Sequence, residues 1–174
     1  MLAARPVYHA FDPNDWMFRH NIKISHGHMT SVSLARANDP SLTWMRAPYE
    51  LYGGNQEKEA VFETVRAAEF DCCPPRLGSL YLFPTKEDAD RANVKWWNNQ
   101  RILLLAQVVH ANRMGRFDSK QLDALKSDWE AAARRYWSGM ETSEPLREVL
   151  VDGAIQLQGW EQYGHIGPPP RRAS

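Results

Sequence analysis

Cysteine is nearly absent from this chain: Cys72 and Cys73 are the only two, side by side. Neighbours in sequence are poorly placed to bridge one another, so no disulfide framework holds the fold. There is no apolar run near the roughly eighteen residues that a membrane-spanning helix needs. No secretory leader is recognisable either. Together these absences give the expectation of a soluble, cytoplasmic protein without a membrane partner. Neither charge is in excess, because Lys plus Arg and Asp plus Glu number 21 each. No global field therefore draws the chain to a phosphate backbone. The usual chemical signatures are missing as well: a Gly-rich phosphate loop after a strand, a Gly-x-Ser-x-Gly elbow, and zinc-ligand spacing. His26-Gly27-His28 offers two imidazoles without a third ligand, so no metal is expected. No internal repeat is visible.

What is present is a core. The chain has 174 residues, of which 43% are hydrophobic, with seven Trp, six Tyr and six Phe. That excludes disorder and suits one domain, read here as residues 1–166. Residues 167–174, a Pro/Arg tail, are expected to be disordered.

Residues 6–11 read as a strand with Val7, His9 and Phe11 on one face. A turn follows at Asp12-Pro13, then a polar, irregular segment up to His28. Residues 29–34 suit a short strand, and 35–54 read mostly as loop. The spacing of Val61, Phe62, Val65 and Ala68, with Asn55 as cap, predicts a helix over 55–70. Residues 76–84 suit a strand with Ser79, Tyr81 and Phe83 on one face. Thr85 and Asp88 form a capping box that opens a helix to Trp97, with Ala89, Ala92 and Trp96 inward. Residues 102–109 suit a central strand. Asp118 and Gln121 open a helix that places Leu122, Leu125, Trp129, Ala132 and Tyr136 on one face.

Residues 147–157 read as a hairpin turning at Asp152-Gly153. In that register Glu148 shares a face with Leu150, Ile155 and Leu157. It is a carboxylate at the head of an apolar face and a candidate for the rim of a cleft. Strands and helices interleave irregularly, which makes the expected class α+β.

Three fragments in order carry a resemblance: Tyr8-His9, then Ser79-Leu80-Tyr81-Leu82-Phe83 followed by Thr85 and a helix, then Glu148-Val149-Leu150-Val151-Asp152-Gly153-Ala154-Ile155. The set resembles the ADP-ribosyltransferase fold in its His-Tyr-Glu branch, most closely the nucleic-acid-modifying DarT-type enzymes, with their toxin and phage-defence setting. The likeness spans most of the chain, although Ala10-Phe11 departs from the usual continuation and residues 12–28 match nothing in it. It implies split antiparallel sheets around an NAD cleft and no metal. His9 would bond a ribose hydroxyl, Tyr81 would stack on nicotinamide, and Glu148 would bond the ribose 2′-hydroxyl. Ser79 would join the NAD-binding set, with Arg76 and Arg19 as candidates for the pyrophosphate.

Breaking the bond to nicotinamide develops positive charge on the sugar, which a fixed carboxylate stabilises. The expected function is NAD-dependent mono-ADP-ribosyl transfer to a macromolecular acceptor, a nucleic acid or a protein. The alternatives are an NAD-dependent RNA 2′-phosphotransferase and a non-catalytic protein-binding module on the same fold.

Overall fold

A computed structural model describes residues 6–52 and 54–166. The tail read from sequence at 167–174 lies outside the described residues. The fold is α+β around one antiparallel sheet of five strands. Its longest members are β4 (Ile102–Asp118) and β5 (Arg147–Leu157). On one edge β4 carries β1 (Val7–Phe11), with Val7 opposite Ala106 and Phe11 opposite Ile102. The far edge of β5 takes β3 (Leu80–Leu82) against Val149–Val151 and β2 (His28–Thr30) against Ala154–Gln156.

The sheet curls until its ends meet. Tyr8 N–H donates to Phe83 O at 2.9 Å and Phe83 N–H to Tyr8 O at 2.8 Å, joining the β1 end to the β3 end. The strands thus form one curled sheet instead of the split pair that the resemblance implied.

The inner face of the curl holds Val7, Phe11, Leu82, Leu104, Val151 and Ile155. The outer face of β5 meets two helices, α4 (Gln56–Glu69) and α6 (Trp129–Trp137). There Leu150 and Phe117 pack with Phe62, Val65, Ala132 and Tyr136. Burying Leu150, Phe117, Phe62 and Val65 contributes about 1.5–3 kcal/mol each. A third cluster, Phe83, Ala89, Ala92 and Leu146, lies under α5 (Lys86–Trp97).

The 147–157 hairpin is corrected: the segment is one continuous strand. Neither Asp152 nor Gly153 has a positive φ, as the tight turn would require. Three things override the Asp-Gly signal. First, β4 offers an edge long enough to pair the whole segment, taking up Val109 and Asn112 as bulges. Second, Asp152 is buried but partnered: Arg113 Nε and Nη2 donate to its Oδ2 at 3.1 and 2.9 Å, and Ser31 Oγ to its Oδ1 at 3.2 Å. Third, Gly153 is there for approach, since a Cβ on it would sit 2.0 Å from His110 O. Straight pairing also re-sorts the faces. Glu148 keeps Leu150 beside it on the outer face, while Ile155 and Leu157 move to the inner one.

Other boundaries differ too. Residues 12–28 contain α1 (Trp16–Ile24), capped by Asp15, whose apolar pattern is short and mixed. The supposed strand at 29–34 stops at Thr30, because Ser31 caps α2 (Val32–Asn38) by accepting from Leu34 N at 3.1 Å. The loop at 35–54 holds the end of α2, a 3-10 turn at Pro40–Trp44 and the short α3 (Pro48–Tyr52). The helix expected from Asp118 begins only at Trp129, preceded by two 3-10 turns, which leaves Leu125 78% exposed. Trp96, expected inward, stands 38% exposed.

Gly153→Ala separates a strand glycine from a turn glycine. Pushing a methyl into backbone is expected to cost about 3 kcal/mol, against about 1–2 kcal/mol at a turn position of positive φ. Urea unfolding measures it, and a loss within the smaller figure would contradict the continuous strand.

Candidate active site

Four elements converge on the outer face of β5. Asn55 caps α4 by accepting from Lys58 N at 3.1 Å. That start sets the helix phase so that Glu59 lies on the buried stripe three residues before Phe62. Arg76 sits in the 3-10 turn Arg76–Gly78 that feeds β3, and Tyr81 is the middle residue of that strand. Tyr136 closes the apolar stripe of α6, and Glu148 is the second residue of β5. Glu59 and Arg76 are each 3% exposed, and Glu148 is 4%.

The guanidinium of Arg76 is the hub. Its Nη1 donates to Glu148 Oε1 at 2.6 Å and to Tyr136 Oη at 2.5 Å, and its Nε donates to Glu59 Oε2 at 2.9 Å. Tyr136 in turn donates to Glu148 Oε1 at 2.5 Å. Tyr49, from α3, donates to Glu59 Oε1 at 2.7 Å. Tyr81 donates to the backbone carbonyl of Arg76 at 2.8 Å. The guanidinium carbon lies 5.1, 5.5 and 5.6 Å from the ring centres of Tyr136, Tyr81 and Tyr49. The second oxygen of Glu148, Oε2, has no hydrogen-bond partner among the described residues.

Protonation follows from these neighbours. Burial alone would lower Arg76, but Tyr136, Tyr81, Glu148 and Glu59 more than offset it and hold the guanidinium charged. Burial pushes Tyr81 and Tyr136 well above the ordinary phenol value, and Tyr49 up to about 12, with Arg76 opposing each. All three phenols therefore keep their protons and act as donors. Two carboxyl groups, Glu59 and Glu148, face the one guanidinium.

Of the residues named from sequence, Arg76, Tyr81 and Glu148 stand together. His9 does not join them. Its ring shares the inner face of the curl with Val7 and Phe11, stacked on Phe18 at 5.5 Å, while Tyr81 projects to the outer face. His9 reaches Tyr81 only through the backbone, with Nδ1 3.3 Å from Tyr81 O. Ser79 directs its hydroxyl to Pro75 O at 2.7 Å. Arg19 donates to Tyr163 O at 2.9 Å, fastening α1 to the chain near its end, without contact to Arg76 or Glu148.

Three members of the cluster are not among the candidates from sequence: Glu59, Tyr136, which lies on the apolar face of the expected helix, and Tyr49, which falls within the expected loop. A glutamate in phase with Phe62 on a buried stripe was the available signal for the first. Tyr49 had none.

Beside the cluster, between α2, α3 and the Arg76 turn, lies a cavity of about 210 Å3 lined by Arg36, Glu50, Glu59, Glu63, Arg76 and Leu77 among others. Neither Tyr81 nor Glu148 lines it. Among the described residues no three His, Cys, Asp or Glu side chains are grouped to hold a metal, and no helix is long and apolar enough to cross a membrane. Residues 8–162 match the family described as "Protein of unknown function (DUF2441)". No curated protein matches the sequence.

His9 gives a pH signature. Burial lowers its pKa to about 4, against the raising effect of its bond to Tyr81 O. Between about 4 and 6.5 the unfolded chain therefore binds a proton that the native state does not, so stability falls as pH drops through that window. The loss is on the order of 2–3 kcal/mol, short of the full shift because the ring keeps some solvent contact. In urea titrations at pH 6.5 and 4.5, His9→Gln is expected to lose less than wild type by that amount; equal losses would remove His9 as the cause.

Proposed function

The chain belongs to the DUF2441 family, and we propose that it is an NAD-dependent mono-ADP-ribosyltransferase that modifies a macromolecular acceptor, nucleic acid or protein, and releases nicotinamide. The observation that carries this reading is the arrangement around Glu148: Arg76 Nη1 and Tyr136 Oη both hold its Oε1, at 2.6 and 2.5 Å, while its Oε2 has no hydrogen-bond partner among the described residues. A carboxyl group fixed in this way favours a guest that carries or develops positive charge. NAD presents a pyridinium in the ground state, and on cleavage the charge moves to the ribosyl carbon. The nicotinamide nitrogen leaves with the electron pair of its bond to C1′. The acceptor nucleophile then forms the new bond to C1′ and loses its proton.

In this reading Glu148 is the catalytic residue, with Oε2 as the oxygen that meets the sugar. Arg76 and Tyr136 both hold Oε1, which orients the carboxylate without motion during the reaction. Tyr81 is the platform for the leaving ring; its ring now packs against Tyr49 at 4.9 Å, a position the nicotinamide would take over. His9 acts as a positioning residue, holding Tyr81 by its carbonyl.

Nicotinamide release from NAD, followed with protein and nucleic-acid acceptors supplied, tests the reading. Glu148→Gln is expected to lose about 10²–10³ in rate. It should cost little stability, because the amide oxygen of the variant still accepts from Arg76 and Tyr136; a change under about 1 kcal/mol is expected. Arg76→Met leaves two buried carboxylates facing each other and should destabilise by about 3–5 kcal/mol. If wild type and Glu148→Gln release nicotinamide equally or not at all, the non-catalytic protein-binding module takes the place of the enzyme.

A further inference from the structure

Tyr49 occupies the face of Tyr81 that the proposed ligand needs. Its ring centre lies 4.9 Å from that of Tyr81, with the two planes tilted by 41°. The guanidinium carbon of Arg76 is 5.6 Å from the centre of the Tyr49 ring. The Tyr49 hydroxyl donates to Glu59 Oε1 at 2.7 Å and accepts from Arg76 Nη2 at 3.4 Å. A six-membered ring on Tyr81 with a hydrogen directed at Glu59 is also what nicotinamide offers, in its pyridinium ring and its carboxamide N–H2.

The element that carries Tyr49 is lightly held. α3 has five residues, too few for a helix that is stable alone. Its other polar contacts are local: Glu50 pairs with Arg46 at 3.1 Å, and Leu51 N–H donates to Ala47 O at 3.2 Å. Among the described residues, 48–51 make polar contact with the Arg76 cluster through the Tyr49 hydroxyl alone. Pro48 is exposed and Leu51 is 56% exposed, whereas the Tyr49 ring turns inward onto Tyr81.

We propose that Tyr49 is an autoinhibitory stand-in for nicotinamide, and that Glu59 selects the carboxamide once Tyr49 has left. The name nicotinamide rests on the transferase reading; the occupation of the Tyr81 face by an internal ring does not. With the phenol displaced, the Glu59 Oε1 lone pair that took the Tyr49 hydrogen takes one from the carboxamide N–H2 instead. The other oxygen of Glu59 stays on Arg76 Nε at 2.9 Å, which keeps Oε1 aimed. A nicotinic acid ring has no hydrogen to give there and sets a carboxylate against the Glu59 carboxyl group. The discrimination thus comes from a buried hydrogen bond left unmade, which costs more than a made one gains. Tyr49 and the ligand compete for one face, so the apparent affinity is lowered by the fraction of molecules in which α3 is seated.

The test is binding of 1-methylnicotinamide and of 1-methylnicotinate, its acid counterpart, measured by ligand-observed NMR on the full chain without NAD. Tyr49→Ala is expected to bind the amide at least about tenfold tighter than wild type does. It should also prefer the amide to the acid by at least about tenfold. Tyr49→Phe keeps the ring on Tyr81 but loses the bond to Glu59, so its affinity should fall between the two. That variant carries the test if Tyr49→Ala does not fold. Adding Glu59→Gln to either variant should erase the preference for the amide, because the new side-chain N–H2 donates to the acid.

Amide binding by the Tyr49 variants that is equal to or weaker than that of wild type would overturn the proposal, since Tyr49 would then belong to the wall of the site. So would equal affinity for amide and acid. Nicotinamide release from NAD separates this contact from the catalytic reading. If Tyr49→Ala gains amide binding while neither it nor wild type releases nicotinamide, the transferase reading falls and the autoinhibitory contact stands.

Discussion

Everything around the site is organised by one buried guanidinium held between two buried carboxylates. Arg76, Glu59 and Glu148 come from a turn, a helix and a strand that are distant in sequence, and each is nearly without solvent. Bringing three charges out of water costs several kcal/mol per ion before any pairing is counted. Such a set persists only with most of its polar atoms partnered. Tyr136 bridges the guanidinium and Glu148, Tyr49 completes Glu59, and Tyr81 ties the turn to β3. The cores on both faces of β5 supply the stability that makes this tolerable. Glu148 Oε2, the oxygen with no partner among the described residues, is the feature that suits the proposed cationic reaction centre.

The same residues explain which parts of the fold the sequence revealed. α4 and α5 were legible because their caps are local. Asn55 and Thr85 each bond a backbone N–H three residues on, and the apolar spacing follows at once. β1 and the start of β4 were legible from alternation and from an unbroken apolar run. β5 was misread because Asp-Gly is a strong local turn signal, whereas the strand is fixed by distant partners: the full length of β4, the Arg113 and Ser31 contacts to Asp152, and the close passage of His110 O over Gly153. None of these is encoded within a short window. α1, α2 and α3 are short, with mixed faces, and their burial comes from tertiary neighbours.

The site was half legible for a related reason. Glu148 stood out because an acid at the head of an apolar strand is a local anomaly, and Tyr81 and Arg76 came with the motif beside it. Glu59, Tyr136 and Tyr49 are recognisable only once α4, α6 and α3 are folded against the same face. His9 shows the opposite limit. It was assigned with Tyr81 and Glu148 on chain order, yet strand alternation decides on which side of a sheet a ring emerges. β1 and β3 meet at the closure of the curl with His9 inside and Tyr81 outside. Chain order carries topology, and the face is set by register.

That separation also constrains how the two faces communicate. Among the described residues a polar link between them is the bond from His9 to the Tyr81 carbonyl, so a change at His9 can reach the site by shifting β3. Burial opposes protonation of a ring packed among Phe11, Phe18 and Val7, although the bond to the Tyr81 carbonyl favours the charged form. A ring driven out to solvent would release the strand carrying Tyr81 from that anchor, and with it the turn that presents Arg76, since the Tyr81 hydroxyl is fastened to that turn. The inner core therefore sets the geometry of the outer cluster mechanically, through one three-residue strand. The charge set can stay rigid only while that strand does.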